Sequence, residues 1–406
     1  MNFNKITLLM NIAVYTITSE LHDEKAVASV TQYFLDSLHI DFEFRGNDFS
    51  DFGQKPLNLI YVRTGGTEGI FKQLLPDLLK RYSRPFYLLT SGKSNSLAAS
   101  LEILSFLRQQ GLKGEVLHGT PDYISRRVDV LLQTEEAMKV LYGSRLGIIG
   151  EPSDWLISSG ISPVEIRRQL GIQLVRIPMK ELQKVLDDIP ETTTDEVTDR
   201  DDIRQSLPGA HRIYLALKLI VEKYNLQGFT LRCFDLLKSV RNTGCLALAR
   251  LNAEGIVAGC EGDIPALLSM SISHALTGYS GFQANPAYIN VEQGEMLFAH
   301  CTIPLNMVER YELDTHFESG IGVGIRGYMK EGPVTIFKVS GDLSRHYASE
   351  GELVRNQAQE DLCRTQQIIR LSNPEDASYF LKNPIGNHHI IIPGHFKQVL
   401  DECLGK

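Results

Sequence analysis

The strongest constraint on this chain is a rhythm. Over residues 12–276 short apolar runs alternate with stretches of helical spacing, and after Thr277 the rhythm stops. The runs at 12–17, 57–62, 86–90 and 115–118 have the β-branched and aromatic content of strands, and helical patterns cover 25–38, 97–110 and 127–141. Strands separated by helices form βαβ units, whose strands lie parallel and are covered on both faces. A second series begins at Arg145. Its apolar runs fall at 146–149, 173–177, 229–234 and 256–260, and its helical patterns at 163–170, 179–186, 210–224, 243–253 and 264–276. Between the two central helices of that series, the acidic stretch at 190–202 reads as a solvated connection or the start of an exposed helix. Beyond 277, glycines, prolines and alternating apolar residues mark short strands at 287–291, 296–303, 322–328, 334–339 and 366–371. The expected architecture is α/β: two doubly wound parallel-sheet domains of the Rossmann or flavodoxin kind, at 1–144 and 145–276, then a mainly β domain, a barrel or sandwich, at 277–406.

Composition narrows the function classes. A chain of 406 residues exceeds one ordinary core, so more than one domain is expected. A net charge of -8 gives no reason to expect a nucleic-acid partner, and a small-molecule ligand fits better. The six cysteines form no CxxC pair or zinc-like quartet, and Cys245 and Cys260 sit in apolar runs as buried free thiols do. That usage favours a reducing, cytoplasmic compartment. Lys5 and the apolar run at 6–17 imitate a signal peptide but lack a small-residue cleavage site, and Met10 offers an alternative start. No other stretch approaches the roughly 20 apolar residues of a membrane helix.

Chemistry concentrates in two places. At 256–276 a strand emerges at Cys260, turns through Glu261, Gly262 and Asp263, and enters a helix. Such turns, at the carboxyl ends of parallel strands, are where open α/β sheets place ligand groups. Asp263 reads equally well as the cap of that helix. Glu261 has no capping duty. Near the end of the chain, His388, His389 and His395 bracket an apolar strand, and neutral imidazole suits Mn, Fe, Co, Ni or Zn. A strand His pair is also commonly hydrogen-bonded core, and neighbours on a strand point to opposite faces, so at most one of the pair ligates. There is no GxSxG elbow, phosphate-binding Walker loop or HExxH pair. The glycines at 320, 322 and 324 read as barrel-bend residues, and Thr64-Gly65-Gly66 as an ordinary βα turn that could face a ligand.

Taken in order, Glu261-Gly262-Asp263, His274-Ala275-Leu276-Thr277-Gly278, Phe282-Gln283-Ala284-Asn285-Pro286 and the closing Gly386-Asn387-His388-His389 with Gly394-His395 resemble the metal-site motifs of L-fucose isomerase and its shorter relatives. Ala299-His300-Cys301-Thr302 resembles a motif of the shorter relatives. The resemblance covers roughly 229–395. It implies a three-domain aldose–ketose isomerase of carbohydrate metabolism, acting on a free or modified monosaccharide through an enediol. It further implies a divalent metal, usually Mn, and a homo-oligomer, trimer or hexamer. On this chain the implied metal positions are Glu261, Asn285 and His388, with Glu261 and Asp263 as catalytic carboxylates. Asn285 departs from the family's Asp: an amide oxygen can ligate a cation but carries no charge and accepts no proton as a base. His300 and Arg232 are the candidate substrate contacts, although His300 reads as well as structural and Arg232 with Asp235 as an exposed ion pair. A sugar-binding or regulatory protein on the same scaffold, its turnover lost with that Asp, is the alternative.

Overall fold

The computed structural model describes residues 11–190 and 193–405. The Lys5 and Met10 readings, with the first part of the run at 6–17, lie outside these residues. The chain forms two compact units that divide after Glu136.

In the first unit, β1 (Ile12–Ile17), β2 (Glu43–Gly46), β3 (Leu57–Val62), β4 (Phe86–Leu89) and β5 (Gly114–Leu117) make one parallel sheet in the order β2-β1-β3-β4-β5. The unbroken apolar runs are explained by burial on both faces. Along β1, Ala13, Tyr15 and Ile17 enter one core with Phe71, Leu75 and Ile103, while Ile12 and Val14 enter the opposite core with Leu35, Ile124 and Val128. Thr64, just past β3, accepts the Ser19 backbone N–H at 3.0 Å, so its side chain ties two strand-end loops together. Helix Glu68–Leu79 was not anticipated by the pattern, which Pro76 interrupts.

The second unit begins with another parallel sheet. Its strands β6 (Arg145–Ile149), β7 (Gln173–Ile177), β8 (Gly228–Leu231) and β9 (Val257–Cys260) are ordered β7-β6-β8-β9. The run expected as one strand at 229–234 stops at Leu231, and Phe234–Ser239 is a short helix. From residue 193 the acidic stretch is coil up to helix Asp201–Tyr224 and is not simply solvated: the Glu196 side chain packs against Arg250 at 3.1 Å and accepts the Tyr311 hydroxyl at 2.9 Å. Pro208 sits inside that helix, which therefore starts nine residues before the expected 210.

The same unit continues into a closed barrel of β10 (Phe282–Asn290), β11 (Glu295–His300), β14 (Gly332–Val339), β15 (His346–Gln357), β16 (Thr365–Leu371) and β17 (His389–Pro393), with β12 (Arg310–Asp314) and β13 (Gly324–Tyr328) as a separate ribbon. The mainly β expectation holds as a barrel. Its core is filled by Phe282, Phe298, Ile336, Ile369 and Ile391 among others. Helix Ile264–Thr277 is buried along almost its whole length and packs on β9, β14 and β17. Gln283 of β10 accepts the Cys260 backbone N–H at 2.9 Å and donates to the Cys260 carbonyl at 3.3 Å, tying the end of β9 to the barrel. These contacts bring Glu261 beside the barrel strands.

Candidate metal and substrate site

Glu261 follows β9 directly and adopts φ +66°, a left-handed conformation that a residue with a Cβ enters at a cost of about 1–3 kcal/mol. Backbone bonds hold it there. The Glu261 carbonyl accepts from Ser153 N at 3.0 Å, and Gly262 N donates to Leu231 O at 3.0 Å. Gly262 must be glycine, since at φ +71° a Cβ would lie 2.8 Å from the Glu151 carbonyl.

This turn aims the Glu261 side chain at two imidazoles. Its Oε1 lies 3.6 Å from His300 Nε2, at the end of β11, and 3.7 Å from His388 Nε2, just before β17. The three side chains are buried, and one potential ligand atom from each falls within 4.8 Å of the others. The rings of His300 and His388 meet edge to face at 5.4 Å. The other oxygen of Glu261, Oε2, accepts the indole N–H of Trp155 at 2.7 Å. Burial disfavours the Glu261 carboxylate, but the two histidines more than offset that and hold it well below the usual carboxyl range.

Asp263 is the helix cap its sequence position suggested, and it also meets His388. Its Oδ1 accepts Ala266 N at 2.9 Å as the helix cap, and its Oδ2 lies 2.8 Å from His388 Nδ1. It is fully buried, with Lys338 of β14 3.5 Å away, and it faces His388 instead of the cavity. Burial works against its charge, yet Lys338 and His388 keep its carboxyl well below the ordinary value. Asp263 thus fixes the His388 ring, leaving Nε2 directed at Glu261. For His388, burial opposes protonation, but Asp263 and Glu261 prevail and push it up to about 9.

The adjacent histidine turns away, as strand geometry requires. His389 Nε2 meets the Tyr379 hydroxyl at 3.1 Å in an aromatic nest with Tyr347 and Phe380, and burial with the Lys338 charge pushes it down to about 3. His395 is exposed and lies 3.3 Å from Glu350.

A cavity of about 420 Å³ opens beside the cluster, walled by Trp155, Phe234, Glu261, Asn285, His300, His316, Glu318 and Asn387, with Cys245, Cys260, Cys301 and Cys363. All six cysteines are free thiols. Asn285 is on the wall, and its Oδ1 accepts Asn387 Nδ2 at 3.1 Å. His316 is pushed down to about 4 by burial and by the neighbouring His300, so it is neutral at ordinary pH. Arg232 is not on the wall: its guanidinium holds Asp154 at 3.1 Å, Asp235 at 3.2 Å and the Pro152 carbonyl at 2.7 Å. The structure therefore gathers Glu261, His300 and His388, with Asp263 behind His388, and sets Arg232 apart. Trp155, Glu318 and Lys338 were not singled out from sequence, because each lies on a loop or strand with no motif around it, and Asn387 entered only as a member of the Gly386–His389 motif.

No family model matches the chain. It is similar to the sulfoquinovose isomerase of Alkalicoccus urumqiensis, 24% identical over 315 residues that make up 71% of this chain and 70% of that protein. It is likewise similar to the sulfoquinovose isomerases of Priestia aryabhattai, 23% identical over 61% of this chain and 59% of that one, and of Clostridium sp. (strain MSTE9), 22% over 60% and 56%. The relatives are sugar isomerases by name, and the chain spans less than two thirds of the length of the latter two.

Proposed function

We propose that this chain is a metal-dependent aldose–ketose isomerase acting on a free or modified monosaccharide through an enediol. The observation that carries the proposal is the convergence of Glu261, His300 and His388 within 4.8 Å, beside a sugar-sized cavity that Glu261 and His300 line. Similarity to sugar isomerases supports the substrate class.

The donor set fits a divalent ion. One carboxylate and two imidazoles suit Mn, Fe, Co or Zn, and His388 Nε2, the nitrogen that faces Glu261, is buried with no hydrogen-bond partner. Glu261, His300 and His388 would hold the ion; Asn285, the position the family pattern adds, lines the same cavity. When bound, such an ion supplies the Lewis acidity that makes a proton beside a carbonyl easier to remove.

The remaining work falls to the chain. Glu261 takes the proton from the carbon beside the carbonyl and returns it to the neighbouring carbon. Asn285 and Asn387, whose amides pair across the wall, offer donors and acceptors for sugar hydroxyls. Asp263, buried away from the cavity, fixes His388 and takes no proton from substrate. Trp155 and Phe234, edge to face at 4.8 Å, give an aromatic wall for the apolar face of a sugar ring or chain.

The test is a screen of aldoses, including sulfoquinovose, with Mn supplied in deuterated water. The proposal expects conversion of at least one sugar with solvent deuterium entering at the carbon beside the carbonyl. Ligand binding without conversion of any sugar would favour the sugar-binding reading, for which the uncharged Asn285 is the supporting observation.

A further inference from the structure

We propose that Trp155 is a positioning residue for the metal-ligand carboxylate: its indole N–H occupies Oε2 of Glu261 and so presents Oε1 alone to His300 and His388. This rests on the metal-site reading above and adds a residue to it. The two oxygens of Glu261 are already divided. Oε2 receives Trp155 Nε1 at 2.7 Å, and Oε1 faces the two imidazole nitrogens at 3.6 and 3.7 Å. An unconstrained carboxylate rotates between one-oxygen and two-oxygen coordination, whereas one anchored through a hydrogen bond to its second oxygen is set for one.

The loop that delivers Trp155 is built to hold it. Arg232 grips that loop at the Pro152 carbonyl and at Asp154, Ser153 N bonds to the Glu261 carbonyl, and the glycine at 262 lets Glu151 and Pro152 approach. The indole ring rests edge-on against Phe234 at 4.8 Å. Half of Trp155 remains exposed, so the residue is not placed there to fill a core. Arg232 thus acts through the loop, at one remove from the cavity.

Trp155 is the single tryptophan of the chain, so indole fluorescence comes from this residue alone. Two measurements test the inference. In the metal-free protein, Glu261→Ala removes the indole's acceptor, and the Trp155 emission is expected to change in position or intensity; an emission identical to wild type would overturn the inference whether or not the protein binds metal. In calorimetric titration with MnCl₂, Trp155→Phe keeps an aromatic ring on Phe234 but loses the N–H, and is expected to bind Mn about tenfold more weakly with its thermal midpoint near that of wild type. Binding as tight as wild type would overturn the inference. A wild type that takes up no Mn would instead contradict the metal-site reading, and the fluorescence arm would still decide the Trp155–Glu261 contact.

Discussion

His388 presents its Nδ1 to Asp263 at 2.8 Å with both side chains fully buried. That contact fixes the ring, and with it the nitrogen that faces Glu261. It also links the site to the barrel, because Asp263 caps helix Ile264–Thr277 and neighbours Lys338 on β14.

Removing Asp263 is therefore expected to be costly in two ways. Asp263→Ala leaves the Lys338 ammonium buried without its carboxylate and uncaps the helix, a loss of about 3–5 kcal/mol in urea unfolding. Loosening of the His388 ring is expected to weaken Mn binding about 10–100-fold. Adding Lys338→Met should recover part of the stability but not the metal affinity. Equal recovery of both would mean that Asp263 serves only the fold.

The metal-free protein should lose stability as pH rises. The His388 value of about 9 lies above the ordinary imidazole value of about 6.5, so its charge pairing is fully present below about 6.5 and is lost as pH climbs through about 9. Glu261 and Asp263 are shifted the other way; their contribution is present above the ordinary carboxyl range and disappears only in strong acid. Metal ligation needs a neutral imidazole, so Mn affinity should rise across the window in which the metal-free protein weakens. Thermal midpoints and Mn titrations at stepped pH test this pair of opposite slopes. A flat Mn affinity from about pH 6 to about pH 9 would remove His388 from the ligand set.

Asn285→Asp restores the charge at the position where the resemblance places an aspartate. Asn387 can donate to the new carboxylate as it does to the amide, so the fold should tolerate the change. Mn binding is expected to tighten about tenfold in calorimetry. No gain would place residue 285 outside reach of the ion.

Much of this was legible in the chain, for physical reasons. β1 and β3 match the expected runs because parallel strands buried on two faces need continuous apolar residues. β15 escaped notice because it is half-buried, and its residues include Glu350, Glu352 and Arg355. The strand–turn–helix at Glu261 was readable from its glycine and cap. His300 was read as a substrate contact because the residues it meets lie 39 and 88 positions away, at 261 and 388, and the barrel alone brings them together. Arg232 pairs with Asp235, as the ion-pair reading had it, but its other partners, Asp154 and the Pro152 carbonyl, belong to a loop that no periodicity marks.

The most direct test of the central claim is the metal content of the purified protein after Mn is supplied, measured by elemental analysis for wild type, Glu261→Gln and His388→Ala. A cluster that works as described gives about one Mn per chain in the wild type and little in either variant, with sugar conversion lost on chelation and restored by Mn. A wild type that holds no metal, or conversion that continues unchanged in chelator, would contradict it.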